Sequence, residues 1–232
     1  MKLPPLTKGR LIRRYKRFLA DVCLEDGTVV TAHVPNTGSM RSTSAQGSLV
    51  GLSSHDNDKR KYRYTLEIIE GESGAMVGVN TMYPNRVVEE GIRSGRIAEL
   101  GGYTEIRREV PYGQASRIDL LLSLDRHLCY VEVKNVTYKH GKFALFPDAR
   151  TVRGTKHLTE LVRMAAAGHR SVIFFLVNRN DCEIMGPARE IDPVYADTLK
   201  SAASAGVELL AYRTQVDFVQ IEIDRKVDIA LL

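Results

Sequence analysis

The segments RIDLLLSL (residues 117–124) and HLCYVEVK (residues 127–134) decide the fold of the second half of the chain. Each alternates as a β-strand does, and only Asp125 and Arg126 separate them, which predicts an antiparallel hairpin. Pairing Ser123 with Leu128 makes one face of the hairpin entirely apolar, because its opposed pairs become Leu122–Cys129, Leu120–Val131 and Ile118–Val133. A register shifted by one residue would put opposed partners on opposite faces, so the apolar face favours this pairing.

The same register places two acidic side chains opposite each other. Asp119 lies across from Glu132, and Lys134 follows on the same face. Two carboxylates about 4–5 Å apart repel by roughly 3–4 kcal/mol at an effective dielectric constant of about 20. A divalent cation bound between them would offset this repulsion, and a lysine beside it can hold a water and help it lose a proton. The pattern therefore predicts a metal site, with a surface hairpin that carries an ordinary ion network as the alternative.

The segments around the hairpin predict an α/β domain over residues 82–232. A helix opens at Pro84-Asn85, and a second helix covers TVRGTKHLTELVRMAAAG. SVIFFLV is a continuous apolar run, typical of a strand buried on both faces. The order α-β-β-β-α-β then α-β, with the acids on the second and third strands, predicts a mixed central sheet with the layout of a PD-(D/E)xK nuclease-like core.

The second predicted helix has one polar and charged face. Its members follow the spacing i, i+3, i+4 and i+7 and are Arg153, Lys156, His157 and Glu160. Such a helix could offer Arg153 and His157 to a phosphate near the carboxylates. The alternative is an ordinary amphipathic surface helix.

Residues 1–81 predict a separate all-β domain. RRYKRFLADVCLEDG and TVVTAHVPN flank the turn Glu25-Asp26-Gly27, and LVGLSSH, KYRYTLEIIEG and AMVGVN follow a loop rich in Gly, Ser and Thr. About five short strands in such a length favour a small barrel of the oligonucleotide-binding (OB) type. Within the loop, Asn36-Thr37-Gly38-Ser39 either turns backbone N–H groups toward an anion or forms a tight turn that satisfies its own backbone.

Basic residues cluster in two places, although the net charge of the chain is only +5. Residues 1–17 contain seven Lys or Arg and no acid, and residues 59–64 interleave cations with tyrosines. Such patches attract a phosphate backbone, and the rings could stack on bases, while a solvated basic face is the alternative. The predicted nucleic-acid contacts in these two clusters are Arg13, Arg14, Lys16, Arg17, Lys59, Arg60, Lys61, Tyr62 and Arg63.

Other classes of protein find little support in the sequence. No apolar run approaches the length of a membrane span, no signal peptide is visible, and the three widely spaced cysteines predict reduced thiols in a cytoplasmic protein. No zinc spacing, Walker-type loop or dinucleotide fingerprint is present. The oligomeric state stays open, with a dimer as one alternative.

Several segments together resemble the sugar fermentation stimulation protein A family of bacteria and archaea. They include HVPNTGSM, VGVNTMYPNR, SRIDLLLSL, YVEVKNVT and FPDARTVRGTKHLTEL, and the resemblance covers about residues 10–212. It implies an N-terminal OB-type barrel, a C-terminal nuclease-like domain and DNA binding without strong sequence preference. The family name is tied to regulation of sugar metabolism rather than to a demonstrated reaction.

The resemblance also implies a set of site residues. Asp119, Glu132 and Lys134 match the family's acid-acid-lysine set, and Glu90 in PNRVVEEG matches the acid of the first core helix, with Glu89 as its alternative. Arg153, Lys156 and His157 match the segment that runs RGxKHLxEL. One departure is Val34, where relatives often have cysteine.

Three functions are compatible with these observations. The first is a DNA-binding protein of low sequence specificity, with a metal site at Asp119, Glu132 and Glu90 that binds Mg²⁺ or Mn²⁺. The second is an active nuclease that uses the same metal, with Lys134 positioning the attacking water. The third is a regulator that senses a small molecule or partner and keeps only a relic of the site. The sequence favours the first and leaves catalysis open.

Overall fold

The computed structural model describes residues 1–56, 61–113 and 116–231. Within these ranges, a β-barrel is followed by an α/β domain. The strands of the barrel are β1 (Leu6–Tyr15), β2 (Leu19–Leu24), β3 (Val29–His33), β4 (Leu49–Ser54), β5 (Tyr64–Glu70) and β6 (Met76–Gly78).

The barrel closes through five strands. They pair in the order β3-β2-β1-β4-β5, a parallel contact between β3 and β5 completes the ring, and β6 adds to the outside of β5. Inward-facing residues such as Val22, Ala32 and Leu52 are fully buried in its core. The predicted OB-type barrel is therefore confirmed.

One turn of the barrel differs from the prediction. The segment RRYKRFLADVCL is not one strand, because β1 and β2 are joined by a tight turn at Lys16 and Arg17, with φ angles of 49° and 65°. Positive φ angles of this kind normally select Gly or Asn, and neither occurs here. The turn therefore left no recognisable signal in the sequence.

The α/β domain begins at Pro84. Its elements are α1 (Pro84–Arg93), a 3₁₀ turn (Ala98–Leu100), β7 (Glu105–Tyr112), β8 (Ser116–Leu124), β9 (His127–Val136), β10 (Tyr138–His140), β11 (Phe143–Phe146), α2 (Val152–Ala166), β12 (Arg170–Val177), β13 (Ile184–Pro187), α3 (Pro193–Ser204), β14 (Glu208–Val216), β15 (Ile221–Lys226) and β16 (Asp228–Ile229).

The central sheet is mixed, as predicted. Its order is β15-β14-β12-β9-β8-β7, with parallel pairing among β9, β12 and β14 and antiparallel pairing at both edges. Phe174 and Phe175 of β12 are both fully buried on opposite faces, which explains the continuous apolar run. Helix α1 covers one face, and α2 and α3 cover the other.

A second, small sheet was not predicted. It has the order β10-β11-β13-β16. A turn at Gly141 joins β10 to β11. This sheet carries the chain from the end of β9 to the start of α2 and so forms one wall of the cleft described below.

Contacts cross between the two parts of the chain at several points. Residues 1–3, predicted within the first domain, hydrogen-bond to residues 219–221 beside the central sheet. On another side, the fully buried Arg179 donates to Ser42 Oγ of the barrel domain at 3.4 Å, and Ser42 Oγ donates to the carbonyl of Thr137 at 3.2 Å. These contacts hold the barrel against the sheet domain. None of the helices in the described part of the chain is long and apolar enough to span a membrane.

Candidate metal and nucleic-acid site

The hairpin of β8 and β9 has the predicted register, but the pairing stops at Asp119. Leu122 pairs with Cys129 and Leu120 with Val131, and the ladder of paired residues ends at Leu120 and Val131. Instead, the Asp119 carboxylate accepts the N–H of Val133 at 2.8 Å through Oδ2. The predicted pair Ile118–Val133 is wrong, because Ile118 packs in the core on the α2 side and Val133 in the core on the α1 side. A side-chain oxygen thus replaces a backbone partner where the strands part.

Asp119 is half-buried, and its hydrogen-bond donors among the described residues are neutral. Besides the Val133 N–H, its Oδ1 accepts the amide of Asn85 at 3.0 Å. Burial, followed by the charge of Glu132, raises the pKa of Asp119 to about 6. The two acids are thus close enough for their charges to interact, as predicted, although no hydrogen bond joins them.

Glu132 is more deeply buried and is compensated by basic groups. Its side chain is 1% exposed, and Oε1 accepts hydrogen bonds from Lys134 Nζ at 2.6 Å and from His157 Nδ1. Burial alone would raise the pKa of Glu132, but Lys134 and His157 outweigh it and the pKa is lowered. The other oxygen, Oε2, is buried without a hydrogen-bond partner.

His157 contacts the buried acid and is not available to a phosphate. The Nε–H of Arg153 donates to its Nε2 at 3.3 Å, so Nε2 is an acceptor and we assign the ring proton to Nδ1, where it faces Glu132. The ring is only 8% exposed. The predicted phosphate contact at His157 is therefore corrected, because Glu132 already occupies its donor.

Glu90 does not join this group. Its carboxylate pairs with the terminal ammonium of Met1 at 2.9 Å and with Arg86 at 3.0 Å, and it lines a different cavity. Its alternative, Glu89, pairs with Arg93 and Arg108. The predicted role of Glu90 as a ligand beside Asp119 is therefore corrected: the residue of α1 that reaches Asp119 is Asn85, in the first turn of the helix.

Asp119 lies in a cleft of about 620 Å³ between the barrel and the sheet domain. Lys134, Asn85 and Glu109 share this cleft with it. One wall is the barrel loop 36–38 together with Arg17, and the other is the segment 145–151 with Arg153. The cleft therefore brings basic groups of both domains to the same acidic floor.

Two family models match the chain. One, described as the sugar fermentation stimulation protein RE domain, matches residues 82–220, and the other, the SfsA N-terminal OB domain, matches residues 12–79. The chain belongs to the sugar fermentation stimulation protein family. The homolog from Geobacter sp. strain M21 is 53% identical over the full length of both chains, and that from Maricaulis maris is 50% identical over 100% of this chain and 99% of its own.

A solved structure of the family has the same fold. The structure of Pyrococcus furiosus SfsA in complex with Ca²⁺ superposes with a TM-score of 0.88 at 28% identity, covering 99% of this chain and 98% of that one. The likeness extends over both domains, so the relation of barrel to sheet domain is also shared.

The basic residues predicted to bind nucleic acid divide into two kinds in this family member. Arg14 is held by the carbonyls of Asn36, Gly38 and Ser39, and burial lowers its pKa, so it fastens the barrel loop and does not face a ligand. Arg13 pairs with Asp21 at 2.8 Å, although most of its side chain is exposed. Arg17 is exposed at the cleft, and its guanidinium donates to the carbonyl of Thr37 at 3.1 Å.

The remaining predicted contacts lie on exposed surfaces or outside the described residues. Lys16 is exposed at the β1–β2 turn, and Lys61 and Arg63 lie over the rings of Tyr62 and Tyr64. Arg153 and Lys156 are exposed on α2, and Arg153 lines the cleft. Lys59 and Arg60 lie outside the described residues. The structure thus gathers Arg17, Lys134 and Arg153 at the cleft and leaves the cluster around Tyr62 separate from it.

Two residues of the site, Asn85 and Glu109, were missed by the sequence interpretation. Asn85 Nδ2 donates to Glu109 Oε1 at 2.8 Å as well as to Asp119, so it ties the two acids together. Glu109 has a φ of 55°, a conformation that is rare outside glycine and costly for other residues. The pairing register of β7 and β8 could have identified Glu109. Residue 108 pairs with residue 120 and residue 110 with residue 118, so Glu109 lies opposite Asp119.

The described residues contain no group of three or more His, Cys, Asp or Glu side chains placed to hold a metal ion together. Asp119 and Glu132, with Glu109 at the mouth, offer only carboxylate oxygen. Oxygen ligands in small number suit Mg²⁺ or Mn²⁺, since Mg²⁺ usually retains several waters and completes its shell with a substrate phosphate. The donor set therefore fits a hard cation held by few protein ligands.

Proposed function

We propose that this family member binds DNA with low sequence specificity and holds a divalent cation at Asp119. The observation that carries the proposal is the unusual environment of that carboxylate. It is half-buried, accepts hydrogen bonds from neutral donors among the described residues and opens onto a cleft with cationic walls. A buried acid without a cationic partner is costly unless a ligand compensates it, and such groups cluster at functional sites.

Asp119 would be the principal ligand, with the unpartnered Oε2 of Glu132 and the exposed Glu109 as further oxygen donors. When bound, Mg²⁺ or Mn²⁺ would neutralise a phosphate and make its phosphorus more susceptible to attack. The Ca²⁺ complex of the Pyrococcus furiosus relative supports a divalent cation in this fold. Glu90 takes no part in the proposed set, because Met1 and Arg86 hold its carboxylate.

The basic residues of the cleft have separate roles in this proposal. Arg17 and Arg153 contact the phosphate backbone from opposite walls, and neither reads a base, which gives low sequence specificity. Lys134 keeps one N–H on Glu132 and directs the rest of its ammonium group toward the cleft, where it can hold a water or a phosphate oxygen. The family name refers to sugar fermentation, and in this proposal the DNA binding of the chain acts in that process.

An active nuclease is the second candidate, and the Lys134–Glu132 pair beside Asp119 favours it. A general base or water-positioning lysine must lie within hydrogen-bond reach of the reacting groups, and Lys134 faces the same cleft as Asp119. A relic site in a sensing regulator is less well supported. Keeping Asp119 ionised in its buried position costs stability, which a relic would have no reason to retain.

Cation binding is tested by titrating the metal-free protein with Mn²⁺ in a calorimeter. Wild type is expected to bind one ion, and Asp119→Asn is expected to lose most of this affinity. Glu90→Gln is the matched control, because it removes an acid of the same domain outside the cleft. Equal affinity in wild type and Asp119→Asn would remove the proposed cation site.

DNA binding and cleavage need their own measurements. The affinity of the wild type for a random duplex should fall steeply with salt, by about 0.9 log unit per log unit of salt for each phosphate neutralised. A flat dependence would contradict electrostatic binding. For cleavage, plasmid DNA is incubated with Mn²⁺ and wild type, Glu132→Ala or Lys134→Ala, and activity that persists in both variants would exclude this site as its source.

A further inference from the structure

A second cavity, of about 430 Å³, continues the cleft beyond Asp148. The two cavities share Tyr138, Asp148, Ala149 and Arg150, so together they form one path that starts at Asp119. The second cavity is completed by Ser39, Arg41, Glu190 and Ile191. None of the predicted binding residues lies in it.

The path contains two arginines whose guanidinium groups are not used by the fold. Arg41 and Arg150 are both exposed, and within residues 1–56, 61–113 and 116–231 neither has a hydrogen bond or an ion pair. Arginine recognises phosphate through paired N–H donors. Two acids also line this cavity: Asp148 accepts the N–H of Met40 at 3.1 Å, and Glu190 is exposed at its edge. The arginines are therefore the groups with donors to spare.

Tyr138 lies between the arginines and the acidic floor. It is half-buried in β10 and lines both cavities. An aromatic ring beside cationic groups is the usual platform for an unpaired base, because every base has a face that can stack. A base within a duplex is stacked on its neighbours, so it has no free face for the ring of Tyr138.

The barrel wall of the path is firmly fixed. Gly38 packs so closely on Asp148 that a side chain at this position would collide with the carboxylate. Ser39 Oγ donates to the Asp148 carbonyl at 2.6 Å, and on the other side Arg14 binds the carbonyls of residues 36, 38 and 39. A loop held from both sides does not move away easily, so this wall of the path is fixed against Asp148.

We infer that the path binds a single nucleic-acid strand, with one phosphate near Asp119, the neighbouring base on Tyr138 and the next phosphate between Arg150 and Arg41. This inference rests on the proposed DNA binding and specifies its substrate class. Unpaired DNA, either alone or as a tail on a duplex, fits the path, whereas a duplex without ends has its second strand in the way.

The test compares three fluorescent DNA probes in Ca²⁺ by anisotropy. They are a single strand of about 12 nucleotides, a duplex closed by hairpins at both ends, and a duplex with an unpaired tail of about six nucleotides. Wild type is expected to bind the single strand and the tailed duplex at least about tenfold more tightly than the closed duplex. The advantage should disappear in the double variant Arg41→Ala/Arg150→Ala, and Arg126→Ala, an exposed arginine at the far end of the β8–β9 hairpin, is the matched control.

Two further readouts separate phosphate contacts from stacking. In the double arginine variant, the log–log dependence of single-strand affinity on salt should become shallower by about 0.7, because the one phosphate between Arg150 and Arg41 is no longer neutralised. Tyr138→Leu should weaken single-strand binding by about 5- to 100-fold, while Tyr138→Phe keeps the ring and the affinity. An unchanged salt dependence, or equal binding by Tyr138→Leu and Tyr138→Phe, would contradict the assigned path.

Failure of this inference can be told apart from failure of the proposed function. If wild type binds all three probes equally, the single-strand path is wrong and DNA binding remains. If wild type binds none of them, the proposed DNA binding itself is wrong and the path falls with it.

Discussion

Asp119 and Glu132 lie on neighbouring strands, yet the regions around them differ in charge. Around Glu132, Lys134 and His157 both donate to one carboxylate oxygen, and the side chain is 1% exposed. Around Asp119, the donors are an amide and a backbone N–H, and the cleft is open to solvent. The charge of Glu132 is thus compensated within the fold, whereas the charge of Asp119 would be compensated by a ligand.

This difference assigns unequal roles to two acids that the sequence makes equivalent. Because Lys134 and His157 already satisfy one oxygen of Glu132, the buried acid anchors the lysine and fixes where its ammonium group points. Asp119 contributes the uncompensated charge that a cation would neutralise. The basic groups outweigh burial at Glu132 but not at Asp119, so the pKa values of the two acids shift in opposite directions.

Removing the cation beside Glu132 should have the largest effect on stability. Lys134→Met leaves a buried carboxylate with only His157 as donor, and breaking a buried ion pair typically costs about 3–5 kcal/mol. Urea unfolding of wild type and variant measures the loss. Adding Glu132→Gln removes the orphaned charge and should restore much of the stability. A loss below about 1 kcal/mol in the single variant would mean that Glu132 does not depend on Lys134.

Removing the charge of Asp119 should change the free energy of unfolding in the opposite direction. The folded protein holds this proton more tightly than the unfolded chain, because the pKa is about 6 in place of 3.8, so stability falls as the pH rises between these values. Above this window the ionised form costs about 3 kcal/mol. Relative to wild type, Asp119→Asn should therefore gain up to about 3 kcal/mol of stability as the pH rises from about 4 to neutral.

The measurement is urea unfolding in EDTA at several pH values. Glu90→Gln is the matched control, because Met1 and Arg86 lower the pKa of Glu90 against the effect of burial, so its charge stabilises the fold at neutral pH. The control should lose stability under the conditions where Asp119→Asn gains it. If both variants change stability in the same direction, the two acids do not differ as the structure indicates.

The sequence predicted the parts of the site that depend on strand alternation. The register of β8 and β9 followed from the apolar pairs between Leu120 and Leu128, and the structure has the same pairing. The buried strand at Ile173 also followed from local pattern, since its continuous apolar run is typical of a strand buried on both faces. Such features depend on neighbours that periodicity identifies.

The features that could not be predicted from the sequence depend on exceptions to the periodicity of strands and helices. The ladder opens at Asp119 because its carboxylate takes the place of a backbone acceptor, and alternation assumes an unbroken ladder. Glu90 and Asn85 lie on one helix, five residues apart, and only the packing of α1 decides which one reaches the site. The path along Arg41 and Arg150 depends on how the barrel loop and a small unpredicted sheet approach each other.

Loss of the histidine donor should destabilise the Glu132 region less than loss of the lysine. His157→Ala removes one hydrogen bond to a charged, buried acceptor, which is worth about 1.5–3 kcal/mol. His157→Asn places an amide N–H near the position of Nδ1 and should keep part of this stability. Urea unfolding of both variants tests the difference. Equal losses would show that ring volume, not the hydrogen bond to Glu132, is the contribution of His157.

Substitution of Arg153 should have the smallest effect on stability, and it tests whether this residue belongs to the cleft or to the region around Glu132. Arg153 lies one helical turn before His157, is exposed, and donates to Nε2 of that ring at 3.3 Å. Arg153→Ala should therefore lower the free energy of unfolding by less than about 1 kcal/mol. Its proposed contact with a phosphate predicts a clear change in DNA binding, in which the log–log salt dependence becomes shallower by about 0.7 to 0.9. A large loss of stability with an unchanged salt dependence would instead place Arg153 with His157, as a support for Glu132 and not as a contact of the cleft.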